Sequence, residues 1–237
     1  MPLDGTVRNV LVMPTQLTKK KPDGLGALKC FIFDLDGTLV ENMELIVRSV
    51  NFAVKDSVGK EFSRDELYPR FGATMEQIVS GLVPATEKDR GVQRYHGFYR
   101  EHFHELAYVY EGIPALVSRL RDEGIRMAIC TGSDARMTNT TLELTGLEQQ
   151  FPVVVTADDV KEEKPDPEGL IRALKLIHSS RKGALYLGDA VRDIEAAKRA
   201  SIWSAAALWG FGDSTALRNS GPDFSFEKPL DALQLLE

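Results

Sequence analysis

Phe31-Ile32-Phe33-Asp34-Leu35-Asp36-Gly37-Thr38 decides the reading of this chain. The apolar run that begins at Cys30 passes straight into two carboxylates spaced by one residue. A short, continuous apolar run suits a strand buried on both faces. In extended backbone, positions i and i+2 point to one side, so Asp34 and Asp36 face one place, close enough to share a cation. Gly37 then lets the chain turn sharply. An Asp-Gly turn ending a strand is common by itself, so the weight falls on what surrounds it.

Outward from that strand the pattern repeats. Met127 to Cys130, Val153 to Val155, Ala184 to Leu187 and Ile202 to Leu208 are further apolar runs. Between them lie helical spacings: Leu116, Val117 and Leu120; Leu170, Leu174 and Ile177; Ile194 and Ala197. Strands alternating with helices predict an α/β fold, a doubly wound parallel sheet of Rossmann-like type. The alternation breaks once, between Leu39 and Ile125, where helical spacing covers Glu44 to Val54, Arg64 to Tyr68, Met75 to Leu82 and Lys88 to Tyr108. So long a connection is not a loop. It predicts an inserted α-helical cap over residues 43–110, with the core in 29–42 and 111–237. Ligands of open parallel sheets bind at the carboxyl ends of the strands, so the insertion is placed to cover the site as a lid. Residues 1–28, with Lys19-Lys20-Lys21, read as a separate extension.

Composition narrows the class. An apolar fraction of 43% excludes disorder as the main state. A net charge of -6 argues against a nucleic-acid partner. Two cysteines, Cys30 and Cys130, both inside strand-like runs, are too few for a disulfide framework. No apolar run reaches the roughly 18 residues of a membrane span, and the N-terminus makes a poor signal peptide. The expectation is a cytoplasmic protein, free of membrane, acting as a monomer or homodimer.

Four polar clusters fall at the carboxyl ends of consecutive predicted strands. Beyond Asp34 and Asp36, Thr131-Gly132-Ser133 offers a hydroxyl and N–H groups ahead of a helix. Lys164-Pro165-Asp166-Pro167 places a lysine on a stiff turn, and Gly188-Asp189-Ala190-Val191-Arg192-Asp193 carries two acids one helical turn apart. Singly these are a helix cap, a surface lysine and dipole-favoured acids. Jointly, in a parallel sheet, they converge on one rim, a constellation suited to Mg²⁺ and a phosphate.

That order of motifs resembles the haloacid dehalogenase-like superfamily from Lys29 to Leu208, and within it the phosphoglycolate phosphatase-like group with a helical cap. The resemblance implies a Mg²⁺-dependent phosphatase acting on a small phosphorylated metabolite. Asp34 would be the nucleophile that becomes an aspartyl-phosphate, and Asp36 the general acid and then base. Asp34, Asp189 and the Asp36 carbonyl would hold Mg²⁺, with Asp193 in support. Thr131, the Gly132 N–H and Lys164 would bind the phosphoryl oxygens. A phosphosugar mutase of the same fold and a non-catalytic binding or signalling module are the alternatives.

The chain departs from the family's pattern at Glu41-Asn42, Ala190 and Ala200-Ser201. The first bears on the hinge into the cap; the last reads as a packing position. In the cap, Arg70 and Thr74 are the candidates for substrate contact, against a reading of Thr74 as a helix cap. Tyr95, Phe98, Tyr99, His102 and Leu106 form a stripe that reads as a buried face. His96, His102 and His104 are irregularly spaced and read as solvated, not as a metal site.

Overall fold

The structure, a computed structural model, describes residues 28–71 and 73–236. The expected extension therefore lies outside the described residues except for Leu28, which is buried in the core.

Strand β1 (Cys30–Phe33) leads into a short β2 (Val40–Glu41). Helices α1 (Met43–Val58), α2 (Arg64–Leu67), α3 (Met75–Leu82) and α4 (Lys88–Leu106) follow, then β3 (Tyr108–Val109). The chain continues through α5 (Ile113–Asp122), β4 (Arg126–Cys130), α6 (Ala135–Thr145) and β5 (Val154–Val155). It closes with α7 (Glu168–Leu176), β6 (Ala184–Gly188), α8 (Val191–Ala200), β7 (Trp203–Ala207), α9 (Ser214–Asn219) and β8 (Phe224–Phe226).

Six strands form one parallel sheet in the order β5-β4-β1-β6-β7-β8. β1 lies at its middle, with Phe31 opposite both Met127 and Leu185. Alternate residues of β1 feed two separate apolar layers. Phe31 and Phe33 pack with Leu116 and Leu120 of α5, whereas Cys30 and Ile32 pack with Leu170 and Leu174 of α7 and Ala197 of α8. A strand covered on both faces has no polar side, which is why its sequence reads as unbroken apolar. Phe31 and Phe33 stack at 4.3 Å between ring centroids, so truncating either to Ala should cost about 3–5 kcal/mol.

The helical cap is inserted between β1 and β4. α1 packs along α4, and Val50, Ile78, Val79 and Tyr99 extend the Phe31 layer into the cap without a break. Two sequence expectations fail at the edges. The helix expected to run to Tyr108 stops at Leu106, because Tyr108 and Val109 pair antiparallel with Glu41 and Val40. The chain thus enters and leaves the cap through a two-stranded ribbon. At the other edge, β8 was not anticipated: three residues alternating Phe-Ser-Phe are too few for a periodic signal.

Ala200 is fully buried in the layer of Cys30 and Ile32, the packing role expected of it. Ser201 adds a backbone role: it ends α8 at φ +57°, a left-handed conformation in which glycine is commonest. Among the described residues, no helix is long and apolar enough to cross a membrane. Cys30 and Cys130 are free, and burial pushes both thiols up to about 12.

Candidate active site

The carboxyl ends of β1, β4 and β6 surround one cleft roofed by the cap. Asp34 follows β1 directly and is buried. Its Oδ1 accepts the Leu35 N–H at 2.9 Å and meets Lys164 Nζ at 3.1 Å. Lys164 also reaches Asp193 Oδ1 at 2.7 Å and donates to the Tyr186 hydroxyl at 2.9 Å. An ammonium has three donors, so these three acceptors use them all. Tyr186 in turn donates to the Cys130 carbonyl at 2.8 Å, tying the lysine to the floor of the sheet. Lys164 stands nine residues beyond β5, so it reaches the rim from a loop rather than from a strand end.

Asp189 closes the other side. It accepts the Phe211 N–H at 2.7 Å, while Asp193 accepts the Ala190 N–H at 2.9 Å. A Cβ at Gly37 would lie 2.3 Å from Asp189 Oδ2, and one at Gly210 would lie 2.3 Å from Asp189 Cβ. Gly37, at φ +78°, therefore serves twice, as turn and as clearance. The Trp209-Gly210-Phe211-Gly212 segment that clamps Asp189 was missed in the sequence. Its signal was available: two glycines around an aromatic directly after a strand.

One oxygen each from Asp34, Asp189 and Asp193 lies within 4.8 Å of the others. Burial raises Asp34 to about 7, with Lys164 pulling down and Asp193 and Asp36 pushing up. Burial, then Asp34 and Asp193, raise Asp189 to about 8. Asp193 moves the other way: burial opposes its charge, but Lys164 and Arg192 hold it below the usual carboxylate range. Three hard oxygen donors that repel one another fit Mg²⁺, which takes oxygen ligands and would offset the crowding.

Asp36 corrects the expectation that the two acids share a cation through their side chains. Its carboxylate takes no part in the three-acid group. Oδ1 accepts Asn42 Nδ2 at 2.6 Å and Oδ2 accepts the Ser133 hydroxyl at 2.6 Å. Asn42, from the Glu41-Asn42 departure, also donates to the Tyr99 hydroxyl at 2.8 Å, which lies 2.9 Å from Thr141 Oγ1. Ser133 is free for this because Asp134, not the Thr-Gly-Ser run, caps α6 by accepting the Met137 N–H at 2.8 Å. Thr131 and Gly132 line the cleft as expected.

The roof differs more from its sequence reading. Arg70 is exposed and does not line the cleft. Thr74 does both things weighed for it: it lines the cleft, and its hydroxyl caps α3 by accepting the Gln77 N–H at 3.2 Å. Tyr95 and Tyr99 are buried as expected, yet they line the cleft as well, so the stripe is not only a packing face. His96 is buried beside Glu76 at 3.1 Å rather than solvated, and burial holds its ring below the ordinary histidine value. His102 stacks on Phe98 and His104 is exposed; neither joins the acidic group. Arg192 also lines the cleft, a cation that sequence reading passed over as a spacer between two acids.

Known proteins agree with this architecture. The sequence profile described as haloacid dehalogenase-like hydrolase matches residues 31–207. Pyrophosphatase PpaX of Listeria welshimeri is 31% identical over 216 residues, covering 89% of this chain and 97% of that protein. Pyrophosphatase PpaX of Bacillus velezensis is 32% identical over 204 residues, covering 86% and 94%. A hydrolase from Pseudomonas syringae superposes with TM-score 0.73 at 26% identity, covering 88% and 97%. A predicted phosphoglycolate phosphatase from Haemophilus somnus shares the fold with TM-score 0.80 at 22% identity, covering 89% and 98%. The chain belongs to the haloacid dehalogenase-like hydrolase family.

Proposed function

We propose that the chain is a Mg²⁺-dependent cytoplasmic phosphatase that cleaves a small phosphorylated metabolite through an aspartyl-phosphate on Asp34, with residues 43–110 as its cap. The observation that carries this reading is the separation of the two carboxylates. Asp34 is fixed on the floor by Leu35 and Lys164 through Oδ1 alone, leaving Oδ2 without a hydrogen-bond partner among the described residues. Asp36 is held apart, by Asn42 from the hinge and Ser133 from the β4 loop. That separation supports a division in which one acid attacks and the other moves a proton.

In this reading Asp34 attacks phosphorus in line and Asp36 protonates the departing oxygen. Asp36 then takes a proton from the water that hydrolyses the acyl phosphate. Thr131 and the Gly132 N–H receive the phosphoryl oxygens, and Lys164 exchanges one of its three present acceptors for a phosphoryl oxygen, as charge shifts between them. Asp34, Asp189 and the Asp36 carbonyl would hold Mg²⁺, with Asp193 steadying Lys164. The ion, when bound, supplies positive charge that neutralises the phosphoryl oxygens and the crowded acids.

The relatives named pyrophosphatase add inorganic pyrophosphate to the substrates to be tried. The test is phosphate release from pyrophosphate, phosphoglycolate, sugar phosphates and nucleotides, with and without Mg²⁺. Release from at least one of them, abolished by chelation, is expected. No release from any, or release indifferent to Mg²⁺, would sink the reading.

A further inference from the structure

Arg192 is the charge in the cleft that the chemistry above leaves without a task. It is the second residue of α8, where the positive end of the helix dipole disfavours a cation. It is half-buried, and among the described residues no carboxylate lies within ion-pair distance of it, although Asp193, Asp34 and Asp189 are close enough to favour its charge. Its guanidinium donates to the Phe71 carbonyl in the cap. A guanidinium has five N–H donors in a planar fork, so one carbonyl leaves most of them unused. Asp193, Asp34 and Asp189 stand near enough to favour its charge and so offset part of what the helix dipole and partial burial cost it, yet none of them engages the guanidinium fork directly. Balancing those acids needs charge but not free donors; an anion entering the cleft would use the fork that they leave open.

The position says which anion. β4 and β6 flank β1 on opposite sides, so Thr131 and Gly132 approach Asp34 from one side and Arg192 from the other. Arg192 is also joined to the roof through Phe71, with Tyr68 lining the same wall. It thus stands where floor meets cap, at the level of the leaving group rather than beneath the transferred phosphoryl group. We propose that Arg192 is a specificity-determining residue that binds a second anionic group on the leaving-group side of the scissile bond. The cleft would then select small compounds carrying two anionic groups, a diphosphate or a phosphorylated carboxylic acid, over esters with an uncharged leaving group. This rests on the phosphatase reading and adds its substrate class.

The test compares wild type, Arg192→Gln and Arg192→Lys on pyrophosphate, phosphoglycolate and p-nitrophenyl phosphate at fixed free Mg²⁺. Gln keeps a donor for the Phe71 carbonyl and removes the charge. The ratio of kcat/KM for a doubly anionic substrate to that for p-nitrophenyl phosphate should drop about 10- to 100-fold in Arg192→Gln, the worth of one charge-assisted hydrogen bond. Arg192→Lys should recover part of it. Whichever of pyrophosphate and phosphoglycolate loses more identifies the second anion as phosphoryl or carboxylate. An unchanged ratio, whether all three substrates fall together or none does, overturns the proposal. If wild type hydrolyses nothing, the phosphatase reading fails, and a separate measurement still decides Arg192. Pyrophosphate should then raise the melting temperature of wild type and not of Arg192→Gln; equal shifts overturn the assignment.

Discussion

The floor and the roof of the cleft hold their polar groups by different means. On the floor, Asp34 and Asp189 leave the ends of adjacent parallel strands, Asp193 sits one helical turn on, and Lys164 bridges Asp34 to Asp193. Backbone hydrogen bonds fix those strands to one register, so few degrees of freedom remain for the side chains. On the roof, the Thr74 hydroxyl caps α3, the Tyr99 hydroxyl of α4 is held by the side chains of Asn42 and Thr141, and the Tyr95 hydroxyl of the same helix has no hydrogen-bond partner among the described residues. In the proposed reading the floor carries the reaction chemistry and the roof meets the rest of the substrate.

Removing the proposed nucleophile tests the floor most severely. Asp34→Asn keeps size and removes charge, so phosphate release should fall to near background, by more than about 10³-fold. Circular dichroism should show the fold intact, and relief of a carboxylate with a raised pKa should leave stability unchanged or higher. Substantial turnover by purified Asp34→Asn would mean that the floor carries no covalent chemistry.

Asp36 joins the two regions, because Asn42 of the hinge and Ser133 of the core both hold its carboxylate. Asp36→Asn should lose about 10²–10⁴-fold in kcat, the worth of general acid–base help. The loss should persist on p-nitrophenyl phosphate, since hydrolysis of the acyl phosphate still lacks a base. Rapid multiple turnover of that ester by the variant would remove Asp36 from the second step.

The same contrast explains what was legible in the sequence. Strands buried on both faces write themselves as apolar runs, and a parallel sheet forces their ends together. Asp34, Lys164, Asp189 and Asp193 could therefore be collected from separate motifs before any contact was known. Arg192 could not be: in sequence it is a spacer, and only the turn of α8 shows it facing the cleft. Arg70 failed for the complementary reason. A charged residue in a cap segment names no direction, and here it points to solvent. Tyr99 reads as core because its ring is core; its hydroxyl meets Asn42 and Thr141, partners 57 and 42 residues away.

Stability should report the crowding of acids on the floor. Asp34 at about 7 and Asp189 at about 8 both stand above the unfolded carboxylate value of 3.8. The folded state thus binds more protons than the unfolded one between those values, so metal-free stability falls as pH rises. His96, held below 6.5, works in the opposite direction at lower pH, which makes the interval from pH 6.5 to 8 the informative one. Without Mg²⁺ the melting temperature should drop across that interval. With Mg²⁺ at a hundredfold excess over its dissociation constant, about 2.7 kcal/mol returns, roughly 5–10 °C for a chain of this size. Asp189→Ala should gain little from the ion. Equal gains in both proteins would place the metal elsewhere.

The roof can be tested by a pair of smaller changes. Tyr99→Phe removes a hydroxyl that lies 2.8 Å from Asn42 Nδ2 and 2.9 Å from Thr141 Oγ1. Loss of those hydrogen bonds should cost about 1 kcal/mol of stability. Asn42 keeps its bond to Asp36 but loses the anchor that orients it, so kcat should fall several-fold while KM moves less. Restoring Asn42's geometry is not available to Phe, whereas a purely packing role for the ring would leave kcat unchanged. Arg70→Ala serves as the control: an exposed side chain outside the cleft should shift stability by no more than about 0.5 kcal/mol and leave both constants near wild type. If Arg70→Ala instead raises KM sharply while Tyr99→Phe is silent, the roof recognises substrate through its outer edge. The division drawn between an α4 wall and a solvent-facing Arg70 would then be reversed.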